Sequence, residues 1–179
     1  MFETMIRNWF MESDGSYNDF ITAPFIDDVE AMNEYMNQVA MTTFRYFDTG
    51  NKPTGEEPER FYHGFVLGLM VELSGRYVLT SNQESVFGRY DVTLKPVNAK
   101  KDDRIILEFN VYQPKKEKSP EDTVKAALQQ IEEKRYEAAL VVRGGEKGNI
   151  RKYGFGFSGK NVLIGKAGPR NLSGTGGNP

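Results

Sequence analysis

Two acidic residues lie in neighbouring segments of the chain that both have the pattern of β-strands. Asp91 lies in segment 88–94, and Glu108 lies in segment 104–112, the most hydrophobic strand-like run in the sequence. Because side chains alternate along a strand, Glu108 and Asn110 point to one face and the apolar residues around them point to the other. The spacing therefore predicts two polar side chains on one face of a hydrophobic strand, with Asp91 on the strand beside it.

A divalent metal shared by the two carboxylates would explain why they lie in such an apolar setting. A buried carboxylate is costly unless its charge is compensated, and hard oxygen ligands favour Mg²⁺ or Mn²⁺. Such an ion lowers the pKa of a bound water and neutralises charge on a phosphodiester during hydrolysis. The alternative is a structural ion-pair network in which Asp91 and Glu108 pair with Arg89 or Arg104. The residues alone leave both interpretations open.

The elements that must position these residues begin with helices. Apolar stripes at 2–10 and 29–47, the second with Asp27 as a cap, predict N-terminal helices. A linker rich in glycine, proline and charge follows at 48–58, and residues 61–73 have the pattern of a buried helix. We therefore expect a helical extension ahead of the strands.

The rest of the chain predicts a sheet with a helical crossover. Ser119-Pro120 is a typical helix start, and that helix should run to about residue 134. Three consecutive strands followed by a helix predict an α/β (α+β) fold with a mixed central sheet flanked by helices. The expected strands are 76–81, 88–94, 104–112, 138–142, 153–157 and 161–164. The expected domains are a helical region at 1–58, a core at 59–164 and a disordered tail at 165–179.

Composition limits the classes of protein to which the chain can belong. The chain has 179 residues, of which 39% are hydrophobic and 27% are charged, enough for one domain with a real core. The net charge of -2 provides no global basic field, so contact with nucleic acid would require a local basic track. The absence of cysteine excludes disulfides and fits a reducing cytoplasm. No apolar run is long enough to span a bilayer, so no membrane partner is expected.

Five short motifs occur in a fixed order along the chain. They are FYHGF (61–65), SNQES (81–85), GRYD (88–91), ALQQI (127–131) and YGF (153–155). In this order the sequence resembles the PD-(D/E)XK nuclease superfamily, and in particular the nuclease-like domain found C-terminal to an AAA-ATPase-like domain in many bacterial proteins. The resemblance implies a restriction-endonuclease-like core. No GxxxxGK[ST] phosphate loop occurs, so the AAA-ATPase-like domain would be a partner missing from this chain.

The resemblance also implies a set of metal ligands. Asp91 and Glu108 would hold Mg²⁺ or Mn²⁺, joined by the backbone carbonyl of Phe109. His63 matches a histidine ligand that some relatives carry on the first core helix, although a lone histidine can equally be a packed core residue. Glu84 is a possible additional acid, or simply a residue in a turn.

Contacts with nucleic acid are implied for other positions. Gln130, with Tyr136 beyond it, resembles a glutamine–tyrosine element that supports the site and contacts DNA, although Gln130 could also be an exposed helix residue. Arg89, Lys125 and Lys160 are further candidates for contact with nucleic acid, and DNA is expected rather than RNA.

Asn110 departs from the family pattern, which has lysine at this position. Asparagine can hydrogen-bond a water but carries no charge, and the loss of one such group costs on the order of 10²–10³ in rate. The domain would then be a natural non-catalytic copy, an engineered variant, or a site served by another cation such as Lys125. The leading hypothesis is a metal-dependent nuclease with impaired catalysis. The alternative is a non-catalytic module that binds nucleic acid, an ATPase-like partner or a second copy of itself.

Overall fold

The described part of the chain forms a five-stranded sheet, two long helices and a helical segment at 22–26. The computed structural model describes residues 22–47, 68, 73–85, 89–133, 150–159 and 161–168. The helices are α1 (Val29–Phe47) and α2 (Pro120–Glu133), and the strands are β1 (Tyr77–Ser85), β2 (Arg89–Pro96), β3 (Arg104–Val111), β4 (Ile150–Ser158) and β5 (Asn161–Lys166). No helix among the described residues is long and apolar enough to cross a membrane.

The strands lie side by side in chain order, from β1 to β5. Every neighbouring pair is antiparallel except β3 and β4, which are parallel. Parallel neighbours need a long crossover, and α2 lies in the connection between them. The expected mixed sheet with flanking helices is therefore confirmed.

The bounds of several elements differ from those that the sequence predicted. β1 continues to Ser85, and β5 continues to Lys166, past the start of the expected tail. The predicted cap of α1, Asp27, was wrong by one residue. Asp28 caps the helix, because its Oδ1 accepts from the Ala31 amide at 2.9 Å, whereas Asp27 accepts from the Tyr153 hydroxyl. The stripe at 2–10, the linker, the strand at 138–142, most of the helix at 61–73 and the end of the tail lie outside the described residues.

One face of the sheet is apolar and packs against α1. Phe109, Phe155 and Phe157 line the centre of this face, and the rings of Phe109 and Phe155 have centroids 4.7 Å apart. Met32 and Met36 of α1 are fully buried in the same cluster. Alternate residues of β2 to β5 supply most of the rest, because period-2 alternation sends every second side chain to this face, and Ala23, Leu73 and Tyr77 complete the cluster.

The opposite face carries α2, which lies unusually close to the strands. Glycines stand at Gly154 and Gly156 of β4 and at Gly165 of β5. A Cβ at Gly154 would lie 2.8 Å from the Val124 carbonyl oxygen, and one at Gly165 would lie 2.7 Å from a Val124 methyl group. Only a sheet surface without side chains at these positions allows α2 to pack so near.

The free edge of β5 is covered by asparagine side chains from α1. Asn33 donates from Nδ2 to the Ile164 carbonyl at 2.8 Å and accepts from the Ile164 amide at 2.8 Å. Asn37 makes the same pair with Val162, at 2.8 and 2.9 Å. One helical turn on α1 thus matches a two-residue step on the strand, and the outward backbone groups of β5 are satisfied.

A polar cluster joins the segment before α1 to the sheet. The Tyr153 hydroxyl donates to Asp27 Oδ1 at 2.7 Å, and Lys166 Nζ lies 2.9 Å from Asp27 Oδ2. Burial opposes the charge of Asp27, but the hydrogen bonds from Tyr153 and Lys166 outweigh it and lower its pKa. Burial, followed by the bond to Asp27, raises the pKa of Tyr153, which therefore stays protonated as the donor. Asp27 has a φ of 60°, so this residue turns the chain sharply into α1.

Candidate metal centre

Asp91 and Glu108 are directly opposite each other in the pairing of β2 with β3. Residues paired in this way share a face, and their Cβ atoms lie about 4.5–5.5 Å apart. Both side chains are buried, with 1% of Asp91 and 0% of Glu108 exposed. The two acids that the sequence placed on neighbouring strands are thus brought together on the α2 side of the sheet. Two carboxylates this close in the interior require nearby positive charge.

Asn110 is the next residue of β3 on this face and is 6% exposed. Its Nδ2 donates to Gln130 Oε1 of α2 at 3.4 Å, so Gln130 contacts Asn110 across the gap between helix and sheet. The other end of the amide differs, because Oδ1 has no hydrogen-bond partner among the described residues. The neighbour of Asn110 on β4 is Gly156, which has no side chain to offer. A buried acceptor is therefore left open beside the acidic pair.

A rigid loop connects the site strand to α2. Glu117 turns inward, where its Oε2 accepts from the Gln113 amide at 2.8 Å and from the Thr123 hydroxyl at 2.9 Å. The Lys118 amide donates to Asp122 Oδ2 at 3.1 Å and fixes the start of the helix. Three lysines of this loop are left exposed to solvent: Lys115, Lys116 and Lys118. The loop is held from within by its single acid and presents positive charge outward.

The cations near the site differ from those that the sequence suggested. Lys125 points to solvent, with 78% of its side chain exposed and Nζ 3.9 Å from Asp122, so it does not replace the missing lysine inside the site. Lys152 of β4 is buried on the face of Glu108, and its Nζ lies 2.7 Å from Glu132 Oε1 of α2. The sequence analysis did not identify Lys152. The signal was present in β4, where Lys152 is followed by glycines at positions 154 and 156 on the same face.

The other predicted site residues that the structure describes lie on β1, β2 and β3. Phe109 lies between the two polar residues, and its ring packs in the apolar core on the far side of the sheet. Arg104 is buried at the start of β3, on the same face as Glu108 and two steps of alternation before it. The backbones of Glu84 and Arg89 lie in β1 and β2, but their side chains, and all of His63, Tyr136 and Lys160, lie outside the described residues.

The donor atoms on this face fit a hard divalent cation. The described residues contain no group of three or more His, Cys, Asp or Glu side chains that could hold a metal ion. They do bring two carboxylates beside the open amide oxygen of Asn110, so the side-chain donors that the described residues offer here are oxygens. Oxygen donors of this kind suit Mg²⁺, Mn²⁺ or Ca²⁺ rather than the softer metals.

A mixed sheet with paired acids on the strands before its crossover helix is the arrangement of a nuclease-type core. Comparison with protein families gives the same result, because a model of the PD-(D/E)XK nuclease superfamily matches residues 57–167. The match covers more than half of the chain, so the chain belongs to the PD-(D/E)XK nuclease superfamily, and the restriction-endonuclease-like core is confirmed. Neither the curated proteins nor the solved structures give a significant match.

Proposed function

We propose that this chain is a Mg²⁺- or Mn²⁺-dependent nuclease domain that hydrolyses phosphodiesters of DNA, at a rate reduced by Asn110. The observation that supports it best is the register of β2 with β3. That register places Asp91 opposite Glu108, with Asn110 next along the same buried face. The pairing brings two carboxylates together on one face of the sheet, as a shared divalent ion requires.

The roles proposed for the side chains follow from their positions. Asp91 and Glu108 would hold the ion, together with the Phe109 carbonyl and His63. When bound, a divalent ion would acidify water and neutralise charge that develops on the phosphodiester. Gln130 orients the Asn110 amide. Asn110 can align a water through its amide but cannot offset negative charge, and we expect slow cleavage for that reason.

Phosphate contacts would come from a local basic surface, since the chain as a whole has a net charge of -2. The loop with Lys115, Lys116 and Lys118 follows the strand of Glu108 and Asn110, and it is held rigid from within. A preorganised loop loses little entropy on binding, which favours contact with a phosphate backbone. Arg89, Lys125, Tyr136 and Lys160 are proposed as further contacts with DNA.

Cleavage assays on linear and plasmid DNA with Mg²⁺ or Mn²⁺ test the proposal. Asn110→Lys should raise the cleavage rate by about 10²–10³-fold, because it restores a charged donor. Asp91→Asn and Glu108→Gln should abolish cleavage, both in the unmodified chain and in the Asn110→Lys variant.

Two results would count against catalysis. If Asn110→Lys is also inert and no divalent ion binds, the nuclease proposal fails. Salt-dependent DNA binding with no cleavage in any variant would instead identify a non-catalytic nucleic-acid-binding module.

A further inference from the structure

We infer that Asn110 is itself a metal ligand, supplying its Oδ1 as a third protein side-chain oxygen beside Asp91 and Glu108. The inference rests on the proposed divalent-ion site and adds a role that lysine cannot have at this position. An ammonium group has no lone pair and would repel the ion, whereas an amide oxygen is a common ligand of hard cations. Asparagine in place of the family's lysine would therefore strengthen metal binding while it weakens catalysis.

The side chain of Asn110 carries an unused hydrogen-bond acceptor. Asn110 is 6% exposed, and its Oδ1 has no hydrogen-bond partner among the described residues. A buried acceptor without a partner costs free energy, and native structures rarely keep one without a functional reason. The other half of the same amide is engaged, because Nδ2 donates to Gln130 Oε1 at 3.4 Å. The amide nitrogen is thus held by Gln130, and the oxygen is the half without a described partner.

The neighbouring strand β4 offers this oxygen no side chain in register. The residue there is Gly156, and a Cβ at that position would already lie 3.0 Å from the Pro120 carbonyl oxygen. Any larger residue at position 156 would therefore collide with the start of α2. Along β3 the next residue on the same face is Glu108, whose Cα lies about 6.6 Å away by strand geometry. Two flexible side chains at this spacing can both reach one ion.

The donor count points the same way. A hard divalent ion takes six or more oxygen ligands, and Mg²⁺ sites keep several of them as water. Asp91 and Glu108 are the only two acids of the described residues that pair on this face. A neutral third oxygen adds a ligand without a third buried negative charge, which an acid at this position would introduce.

Metal titration tests the inference without depending on cleavage. Mn²⁺ affinity is measured by calorimetry, and bound water is counted from Tb³⁺ luminescence lifetimes in H₂O and D₂O. Asn110→Ala should weaken Mn²⁺ binding about tenfold or more and add about one water to bound Tb³⁺. Asn110→Lys should weaken binding further, and Asn110→Asp should strengthen it. Asn161→Ala removes an exposed asparagine of β5 and is the matched control.

The outcomes separate this inference from the proposed function. If Mn²⁺ binds with dependence on Asp91 and Glu108, but Asn110→Ala changes neither affinity nor water count, Asn110 is not a ligand and the nuclease proposal stands. If the unmodified chain binds no Mn²⁺ or Tb³⁺, the metal site itself is wrong. Thermal unfolding of each variant without metal shows that any lost affinity is not a loss of folded protein.

Discussion

The two faces of this sheet are built from the same strands but from different chemistry. On the α1 face, β2 to β5 contribute aromatic and branched residues that pack with Met32 and Met36. On the α2 face, the same strands contribute glycines and polar residues together with the buried Ile106. Each buried polar residue among the described residues lies on the α2 side: Asp91, Arg104, Glu108, Asn110, Thr123 and Lys152.

The difference shows how one strand can serve stability and function at once. β3 alternates Ile105, Leu107 and Phe109 with Glu108 and Asn110, and all five side chains are buried. Burial of the apolar face contributes the favourable free energy of folding. It offsets the cost of burying the charged side chains on the polar face. The following predictions test that division, from the largest expected effect to the smallest.

Phe155→Ala should destabilise the protein most, by about 3–5 kcal/mol, because it opens a cavity in the apolar face. Phe155 is fully buried and its ring contacts Phe109. Urea unfolding measures the loss, and Phe155→Leu should recover much of it. A loss below about 1 kcal/mol would mean that the α1 face does not carry the stability assigned to it.

Gly154→Ala should cost about 1–3 kcal/mol, because the added methyl overpacks the α2 face. Its Cβ would lie 2.8 Å from the Val124 carbonyl oxygen and 3.0 Å from Leu128 Cγ, and the backbone oxygen cannot move without moving the helix. Gly168→Ala is the control, since nothing lies within 4 Å of a Cβ there. Equal stability of the two variants would contradict the close approach of α2.

Asn110→Leu and Asn37→Leu should change stability in opposite directions. Asn110→Leu removes an acceptor with no described partner, so the metal-free protein should gain about 1 kcal/mol. Asn37→Leu should lose about 1–3 kcal/mol, because it leaves the backbone of Val162 without its bonds of 2.8 and 2.9 Å. Chemical denaturation in a chelator measures both. A loss of stability in Asn110→Leu would show that its amide is structurally satisfied.

The smallest effect should be a pH dependence from Asp27. Its pKa in the folded protein is below the ordinary value of 3.8, so its contribution is complete above that pH and is lost as the pH falls through the lower folded value. Because 43% of the side chain is exposed, the contribution should be under about 1 kcal/mol. Unfolding of Asp27→Asn from pH 6 to pH 2.5 should lack this slope, whereas the exposed control Glu30→Gln should retain it.

Local patterns in the sequence predicted the faces of the sheet but not its long-range contacts. Alternation alone put Glu108 and Asn110 together, since a strand's period is fixed. The motifs added Gln130, which does contact Asn110. The contacts of Asn33 and Asn37 could not be predicted, because they join residues 131 and 125 positions apart. Lys152 was missed for a related reason: its burial depends on α2 covering bare glycines.

The asparagine contacts between α1 and β5 determine where this domain can be truncated. The region that matches the superfamily begins at residue 57, after both asparagines. A fragment beginning there would expose the amides and carbonyls of Val162 and Ile164 along an open strand, and open strands of this kind recruit other chains. The smallest piece that keeps this strand edge covered should therefore begin before α1, upstream of the region that matches the family.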